Sequence, residues 1–384
     1  MLIHDGPGLT DVQLTLGQKI WNINWMLVLL ISATAAVGFA MLYSVAGGSM
    51  DPWVKRQMTR FGMGLILMFL VALVDVRFWM RYAYGIYAIA LALLIAVEFI
   101  GSVGMGAQRW VDLGFFQLQP SEVMKIAMVL ALSRYFHGLS LDEVERFRWL
   151  MPPLLMMLAP VALVLRQPDL GTALLIVMGS GAIFLMAGVR MWLFGVVFAA
   201  VGAAAPFAWS YLHTYQKARI LTFLNPERDP LGAGYHILQS KIALGSGGLA
   251  GRGYMQGTQS YLNFLPEKQT DFIFTSLAEE FGLTGALVLL SLYVVIIIYG
   301  IAIALRSRNH FGRLVAMGIT VTFFLYVFIN IAMVTGLVPV VGVPLPLISY
   351  GGTAMMTILI GFGLLISVYV HRDVRIPRRP GDSV

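Results

Sequence analysis

The chain has 384 residues, of which 59% are hydrophobic and only 12% are charged, and its mean hydropathy is +0.81. Soluble domains are about 45–50% apolar and about 25% charged, so this composition excludes a soluble globular domain and predicts a helical protein that crosses a membrane several times. The chain contains no cysteine, which excludes disulfide bonds and thiolate chemistry. Its net charge is +7.

Ten apolar segments, most of them about 17–25 residues long, are long enough to cross a bilayer as helices. They lie near residues 24–45, 57–74, 82–100, 121–136, 150–165, 170–188, 192–212, 272–305, 314–335 and 353–371. The predicted fold class is therefore an all-α polytopic membrane protein with about ten transmembrane helices. We expect residues 1–384 to form a single integral membrane domain.

The basic residues predict the orientation of these helices. Ten spans place both termini on one face, and more than half of the 26 basic residues lie on that face: Lys19, Arg77, Arg81, Arg134, Arg146, Arg148, Arg190, Arg306, Arg308, Arg313, Arg372, Arg375, Arg378 and Arg379. Positive charge accumulates on the cytoplasmic side, so the 1–23 segment and the 372–384 tail are predicted to be cytoplasmic. The net charge is then a topology signal, and no nucleic-acid partner is needed to explain it.

Two connections are predicted to lie on the outer face. One is a long extracytoplasmic loop, residues 213–271, between the seventh and eighth helices. The other, residues 336–352, reads GLVPVVGVPLPLISYGG and carries no charge. Its prolines interrupt a helix and its glycines allow tight turns. Irregular backbone at membrane depth needs protein or water around it, so this proline-rich loop is expected to fold back into the outer mouth of the bundle.

Asp271 is the focal candidate for chemistry. It lies where the long polar loop turns into the apolar eighth span, and an isolated charge at the bilayer centre costs roughly 3 kcal/mol or more. A carboxylate at this water–membrane boundary is well placed to meet a substrate that has a lipid tail and a polar head.

Four further ionisable residues are candidates for the same site. Glu122 and Lys125, in QPSEVMK, are three residues apart in a predicted first helical turn and can pair there. They form either a structural ion pair or a pair that contacts substrate, and Arg109 lies in the same outer segment. Asp169, in RQPDLGT, either caps a helix or contributes to function, since a helix N-terminus favours a carboxylate.

The long loop also contains GSGGLAGRGYMQG, residues 245–257. The glycine spacing does not match a dinucleotide fingerprint, and no Walker lysine is present. A flexible glycine backbone with Lys217, Arg219, Arg252 and Lys268 nearby can approach phosphates; the alternative is a solvated basic loop. No His/Cys spacing typical of a zinc site occurs.

Five motifs occur in order over about residues 20–370: GAQRWVDLG, QPSEVMK, QPDLGTALL, GSGGLAGRGYMQGTQSYLNFLPEKQTDFIFTSLAEEFG and PLPLISYGG. Together they resemble the SEDS family of bacterial cell-wall polymerases. NPERDPLGAGYH and GTQSYLNFLPEK are more similar to the RodA subgroup, of the elongation machinery, than to the FtsW subgroup, of division. The chain departs from the family pattern at Gln269, where histidine is frequent, and at Thr353, where serine is frequent.

The resemblance implies an inverting peptidoglycan glycosyltransferase that joins lipid II units outside the bacterial inner membrane and releases undecaprenyl pyrophosphate. It implies a fold related to the lipid-dependent, GT-C-like glycosyltransferases. The family's essential aspartate falls on Asp271, which is expected to be the general base for the acceptor hydroxyl. The pyrophosphate needs cationic stabilisation, to which a divalent ion (Mg or Mn) can contribute. The candidate substrate-binding residues are Arg109, Glu122, Lys125, Asp169, Lys217, Arg219, Arg252, Lys268 and Ser349.

The implied partners are lipid II, a class B penicillin-binding protein acting as transpeptidase, and other membrane proteins of the elongation machinery. The eighth and ninth spans are rich in β-branched and aromatic residues on every face, which suits a foreign helix, although lipid is the alternative neighbour. Two other functions remain open. A lipid II flippase would spread ionisable residues through the membrane midplane, whereas the densest polar motif lies at one helix mouth. A non-catalytic scaffold for a transpeptidase leaves Asp271 unexplained.

Overall fold

The computed structural model describes residues 15–104, 107–112, 114, 117–211, 217, 221–225, 233–261, 264 and 267–378. Each of the ten predicted spans coincides with a helix in this part of the chain. A short helix α1, Leu16–Trp21, precedes them. The ten helices are α2 Trp25–Val45, α3 Val54–Leu73, α4 Val76–Ile100, α5 Pro120–His137, α7 Phe147–Arg166, α8 Leu170–Met186, α9 Met191–Tyr211, α12 Ile273–Arg306, α13 His310–Val334 and α14 Gly352–Val370.

Seven of the described helices are long and apolar enough to cross a membrane, and α8 and the apolar part of α9 are shorter apolar helices. The remaining one, α5, has 18 residues and carries Glu122, Lys125 and Arg134. The prediction of a polytopic helical membrane protein is confirmed. The short helices α6 Leu141–Val144, α10 Ala233–Ser246 and α11 Thr258–Tyr261 lie in connections between the long ones.

The all-α prediction missed a small sheet between α4 and α5. Strands β1 Ser102–Gly104, β2 Ala107–Asp112 and β3 Gln117–Leu118 pair antiparallel in the order β1-β2-β3. Strands this short give little periodic signal. The sheet places Arg109 beside the end of α7, and the hydroxyl of Thr353 at the start of α14 donates a 2.9 Å hydrogen bond to Gln117 O.

Among the seven membrane-length helices, α13 and α14 are the most buried. In the most apolar window of each helix, 67% of the residues of α13 and 72% of those of α14 are buried, compared with 28% for α3 and 22% for α4. The two helices are apolar on all faces, as buried helices are. Of the two spans expected to suit a foreign helix, α13 is exposed mainly around Phe324 and Phe328, whereas α12, with 33% buried, faces outwards more widely.

The helix α12 is broken at Gly282, whose φ is +66°. Residues 247–253, which we call the glycine clip, bind both sides of the break. The amides of Arg252 and Gly253 donate to the carbonyls of Glu279 and Glu280, at 3.0 and 2.9 Å, and the amides on the far side of the break donate back to the clip. The clip thereby orients the first part of α12, which directly follows Asp271.

Candidate functional site

Asp271 lies between the turn 267–270 and Phe272, the N-cap of α12. Its carboxylate faces the proline-rich loop, because a Cβ added at Gly342 would lie 3.5 Å from Asp271 Oδ2. The adjacent Val341 meets the first turn of α8, where a Cβ at Gly171 would lie only 2.6 Å from Val341 O. The proline-rich loop thus packs between α8 and Asp271, in the folded-back position predicted from its sequence.

The N-terminus of α8 carries the second part of the site. Asp169 is its N-cap and accepts hydrogen bonds from the amide and the hydroxyl of Thr172, at 3.1 and 2.9 Å. Arg109 lies 4.0 Å from this carboxylate and donates to the carbonyls of Gln167 and Pro168, at 3.0 and 2.6 Å. Asp169 therefore caps its helix and also neighbours a fixed guanidinium, and its contribution to function stays a prediction.

The Glu122–Lys125 pair lies at the start of α5. The two side chains are buried and form a 2.6 Å ion pair. Tyr326 of α13 completes the group, because its hydroxyl donates to Glu122 Oε2 at 2.6 Å and also bonds Lys125 Nζ. Lys125 and Tyr326 line a largely apolar cavity of about 30 Å³ between α5, α13 and α14. Sequence reasoning missed Tyr326, since nothing marks one tyrosine in an aromatic span as the partner of an ion pair 201 positions away.

The glycine-rich segment packs on α12 through part of its backbone, while most of its residues are exposed; phosphate binding stays a prediction. A Cβ at Gly247 would lie 2.0 Å from Ala278 O, so its backbone packs directly on α12. Arg252 is exposed and donates at 2.9 Å to the hydroxyl of Thr258, which in turn donates to the buried Glu279 at 3.0 Å. The carboxylate of Glu280, next to Glu279, accepts hydrogen bonds from the Ser44 hydroxyl and from the Met255 amide. Gly247 and Gly251 therefore serve close packing, a role that their spacing alone does not reveal.

Four predicted site residues remain: Lys268, Ser349, Lys217 and Arg219. Lys268 lies in the turn before Asp271, where partial burial lowers its pKa below the ordinary lysine value. Ser349 is buried, and its hydroxyl donates to Thr270 O at 2.5 Å while accepting from the Leu345 amide at 2.8 Å. Lys217 is half-buried, and Arg219 lies outside the described residues.

A divalent ion is not favoured by the side chains themselves. Within the described ranges, no three His, Cys, Asp or Glu side chains are grouped closely enough to hold a metal. Hard cations such as Mg²⁺ are commonly bound by one or two carboxylates together with substrate phosphates. Any such ion here would therefore depend on the substrate for most of its ligands.

The arrangement as a whole defines a membrane protein with a carboxylate and several cations at one end of its helical bundle. The family model for cell cycle proteins of the FtsW, RodA and SpoVE group matches residues 24–374. The peptidoglycan glycosyltransferase MrdB of Escherichia coli (strain K12) is 44% identical over 356 residues, covering 90% of this chain and 94% of that protein. The chain therefore belongs to the FtsW/RodA/SpoVE family.

Solved structures agree with this assignment. A chain from a structure concerned with the coordination of polymerisation and crosslinking by a peptidoglycan synthase complex has a TM-score of 0.80 at 33% identity, covering 91% of this chain and 98% of that one. The rod shape determining protein RodA of Thermus thermophilus has a TM-score of 0.69 at 29% identity, covering 91% and 97%. The similarity extends through nearly the whole bundle.

Proposed function

We propose that this protein polymerises lipid II into glycan strands during cell elongation, with Asp271 as the general base. The enzyme class rests on family membership and on relatives named peptidoglycan glycosyltransferases, MrdB of E. coli at 44% identity among them. The chain is thus a peptidoglycan glycosyltransferase. The assignment of Asp271 rests on its own geometry, described next.

The position of Asp271 is the observation that carries the mechanism. Its carboxylate lies at the start of an apolar helix and faces the proline-rich loop beside the α8 N-terminus. A sugar hydroxyl is a weak nucleophile, and a carboxylate within hydrogen-bond reach can take its proton as it attacks the donor sugar. In one displacement, the new glycosidic bond forms as the bond to undecaprenyl pyrophosphate breaks, which inverts the donor's configuration.

The leaving pyrophosphate takes up negative charge, which fixed cations stabilise. Arg109 is the best-anchored candidate, because two backbone carbonyls hold its guanidinium next to Asp169. Lys268 is close in sequence to Asp271 and is a second candidate. Lys125 is buried with Glu122 and Tyr326. Its proposed role is therefore to hold a positive charge in the protein interior at the start of α5.

The proposed orientation places both termini in the cytoplasm of a bacterial inner membrane and the site on the periplasmic face. A class B penicillin-binding protein is the proposed transpeptidase partner, alongside other proteins of the elongation machinery. The similarity to a chain of a peptidoglycan synthase complex that coordinates polymerisation and crosslinking supports this partnership. The outward face of α12 is the surface that we propose for the partner's single helix. The relation to GT-C-like folds also stays a prediction.

The activity test is polymerisation of purified lipid II by the full-length protein in liposomes, with and without its transpeptidase. We expect glycan strands, with one undecaprenyl pyrophosphate released for each glycosidic bond formed. A parallel assay follows movement of labelled lipid II between leaflets. Translocation without any strand formation would identify a flippase, and neither activity in the presence of the active partner would favour a scaffold.

A further inference from the structure

The backbone around Asp271 is bound at three consecutive carbonyls. Gln269 O accepts from the Tyr350 amide at 2.8 Å, Thr270 O accepts from the Ser349 hydroxyl at 2.5 Å, and Asp271 O accepts from Asn330 Nδ2 at 3.0 Å. Two of the donors belong to the proline-rich loop and the third to α13. These bonds fix the chain on the N-terminal side of α12.

Asn330 differs from the other two donors because its single amide group bonds both the backbone of Asp271 and the proline-rich loop opposite the Asp271 carboxylate. It is fully buried, and its Nδ2 donates to Asp271 O and, at 2.7 Å, to Val343 O. Val343 follows Gly342, the residue that faces the Asp271 carboxylate. One amide group therefore joins the backbone that carries Asp271 to the loop that forms the opposite wall.

The orientation of the Asn330 amide follows from its neighbours. If the group were turned over, its oxygen would face two carbonyl oxygens, and neither could donate a hydrogen bond. In the observed orientation Oδ1 is buried and has no hydrogen-bond partner among the described residues. Such an unpaired polar atom opposes folding, and the bridge between two carbonyls is what the asparagine provides in return.

We propose that Asn330 is a positioning residue for Asp271: it holds the backbone of the carboxylate at a fixed distance from the proline-rich loop so that the carboxylate stays within reach of the acceptor hydroxyl. Asn330 also lies one helical turn after Tyr326, on the same face of α13. That face therefore supports both Asp271 and the buried Glu122–Lys125 pair. The inference rests on the proposed role of Asp271 as base.

The test replaces Asn330 by leucine, which is similar in size and has no donor. Misplacement of a catalytic group by about 1 Å can cost on the order of 100-fold in rate, so kcat for lipid II polymerisation should fall by about 10- to 100-fold. The KM for lipid II should change little, because no substrate contact is removed. The matched control is Thr335→Val, since the Thr335 hydroxyl bonds only carbonyls of its own helix; its kcat should match that of the wild type.

A double-mutant cycle with Asp271→Glu separates positioning from a general loss of folded protein. If Asn330 acts through Asp271, Asn330→Leu should have little further effect in the Asp271→Glu background. Equal effects of Asn330→Leu in both backgrounds would overturn the inference, as would a wild-type kcat for Asn330→Leu.

A replacement variant and a comparison with Asp271→Asn complete the test. If Asn330→Leu does not accumulate in the membrane, Asn330→Ala provides the same cycle, because it removes the same donor to Asp271 O and Val343 O without adding apolar bulk. If Asp271→Asn itself polymerises lipid II normally, the proposed function of Asp271 fails. A normal Asn330→Leu with an inactive Asp271→Asn refutes only the positioning role.

Discussion

The glycine clip predicts a graded series of alanine substitutions. At Gly251, φ is +80° and an added Cβ would lie 2.2 Å from Glu280 O, a backbone atom that cannot move aside without opening the break in α12. At Gly248, φ is +55° but no atom lies within 4 Å of the added Cβ. At Gly245, in α10, neither condition applies. The three sites therefore separate backbone strain from close approach.

The expected magnitudes follow from these contacts. Left-handed backbone costs a residue with a Cβ about 1–2 kcal/mol, so Gly248→Ala should lose that amount. Gly251→Ala adds overpacking, about 1–3 kcal/mol, and weakens the bonds from Arg252 N and Gly253 N to the helix break, each about 1 kcal/mol. Its total loss should be about 4 kcal/mol. Gly245→Ala should be neutral or stabilise by about 0.5–1 kcal/mol, since alanine favours a helix.

The assay heats each purified full-length variant in detergent and measures the monodisperse fraction that remains by gel filtration. We expect the midpoint temperature to be lowest for Gly251→Ala, intermediate for Gly248→Ala, and equal to or above the wild type for Gly245→Ala. Polymerisation should also fall most in Gly251→Ala, because the clip orients the part of α12 next to Asp271. If Gly251→Ala and Gly248→Ala have the same midpoint, close packing of the clip on α12 does not stabilise the fold.

Three other predictions concern the ion pair, the partner and the topology. Lys125→Ala should lower both folded yield and activity, since it leaves the buried charge of Glu122 without its partner, at a cost of about 3–5 kcal/mol. The double variant Glu122→Gln/Lys125→Met should recover the folded yield but not the activity. Recovered activity would show that the pair is purely structural. A transpeptidation-inactive partner should raise polymer yield, and equal yields would mean that the partner is tethered without activating the site. A reporter fused after Val384 should be cytoplasmic and one inserted near Arg228 extracytoplasmic; reversed labelling would invert the orientation.

Seven of the ten long helices were predictable because each is an apolar run of membrane length, and the sequence pattern needs no tertiary information. Asp271 could be singled out for a similar reason, as a carboxylate at the boundary of such a run. The i,i+3 spacing of Glu122 and Lys125 also predicted their pairing, which the structure has at 2.6 Å. These features depend on neighbours in sequence.

The features that sequence could not supply depend on contacts between distant segments. Tyr326 and Asn330 are polar residues in a buried apolar helix, and only the packed bundle brings them to Glu122 and to Asp271. Gly247 and Gly251 were expected to give mobility, yet they allow two backbones to touch. The β1–β3 sheet is too short for a periodic pattern, and its pairing depends on turns that no span prediction describes.

The central claim is that Asp271 is the base for glycan polymerisation, and Asp271→Asn tests it most directly, since the substitution keeps the shape and removes proton acceptance. General-base catalysis contributes about 10²–10⁴-fold. At saturating lipid II and equal amounts of folded protein, polymer formation should fall by about 100-fold or more, while binding of labelled lipid II is retained. Polymerisation by Asp271→Asn at nearly the wild-type rate would contradict the account.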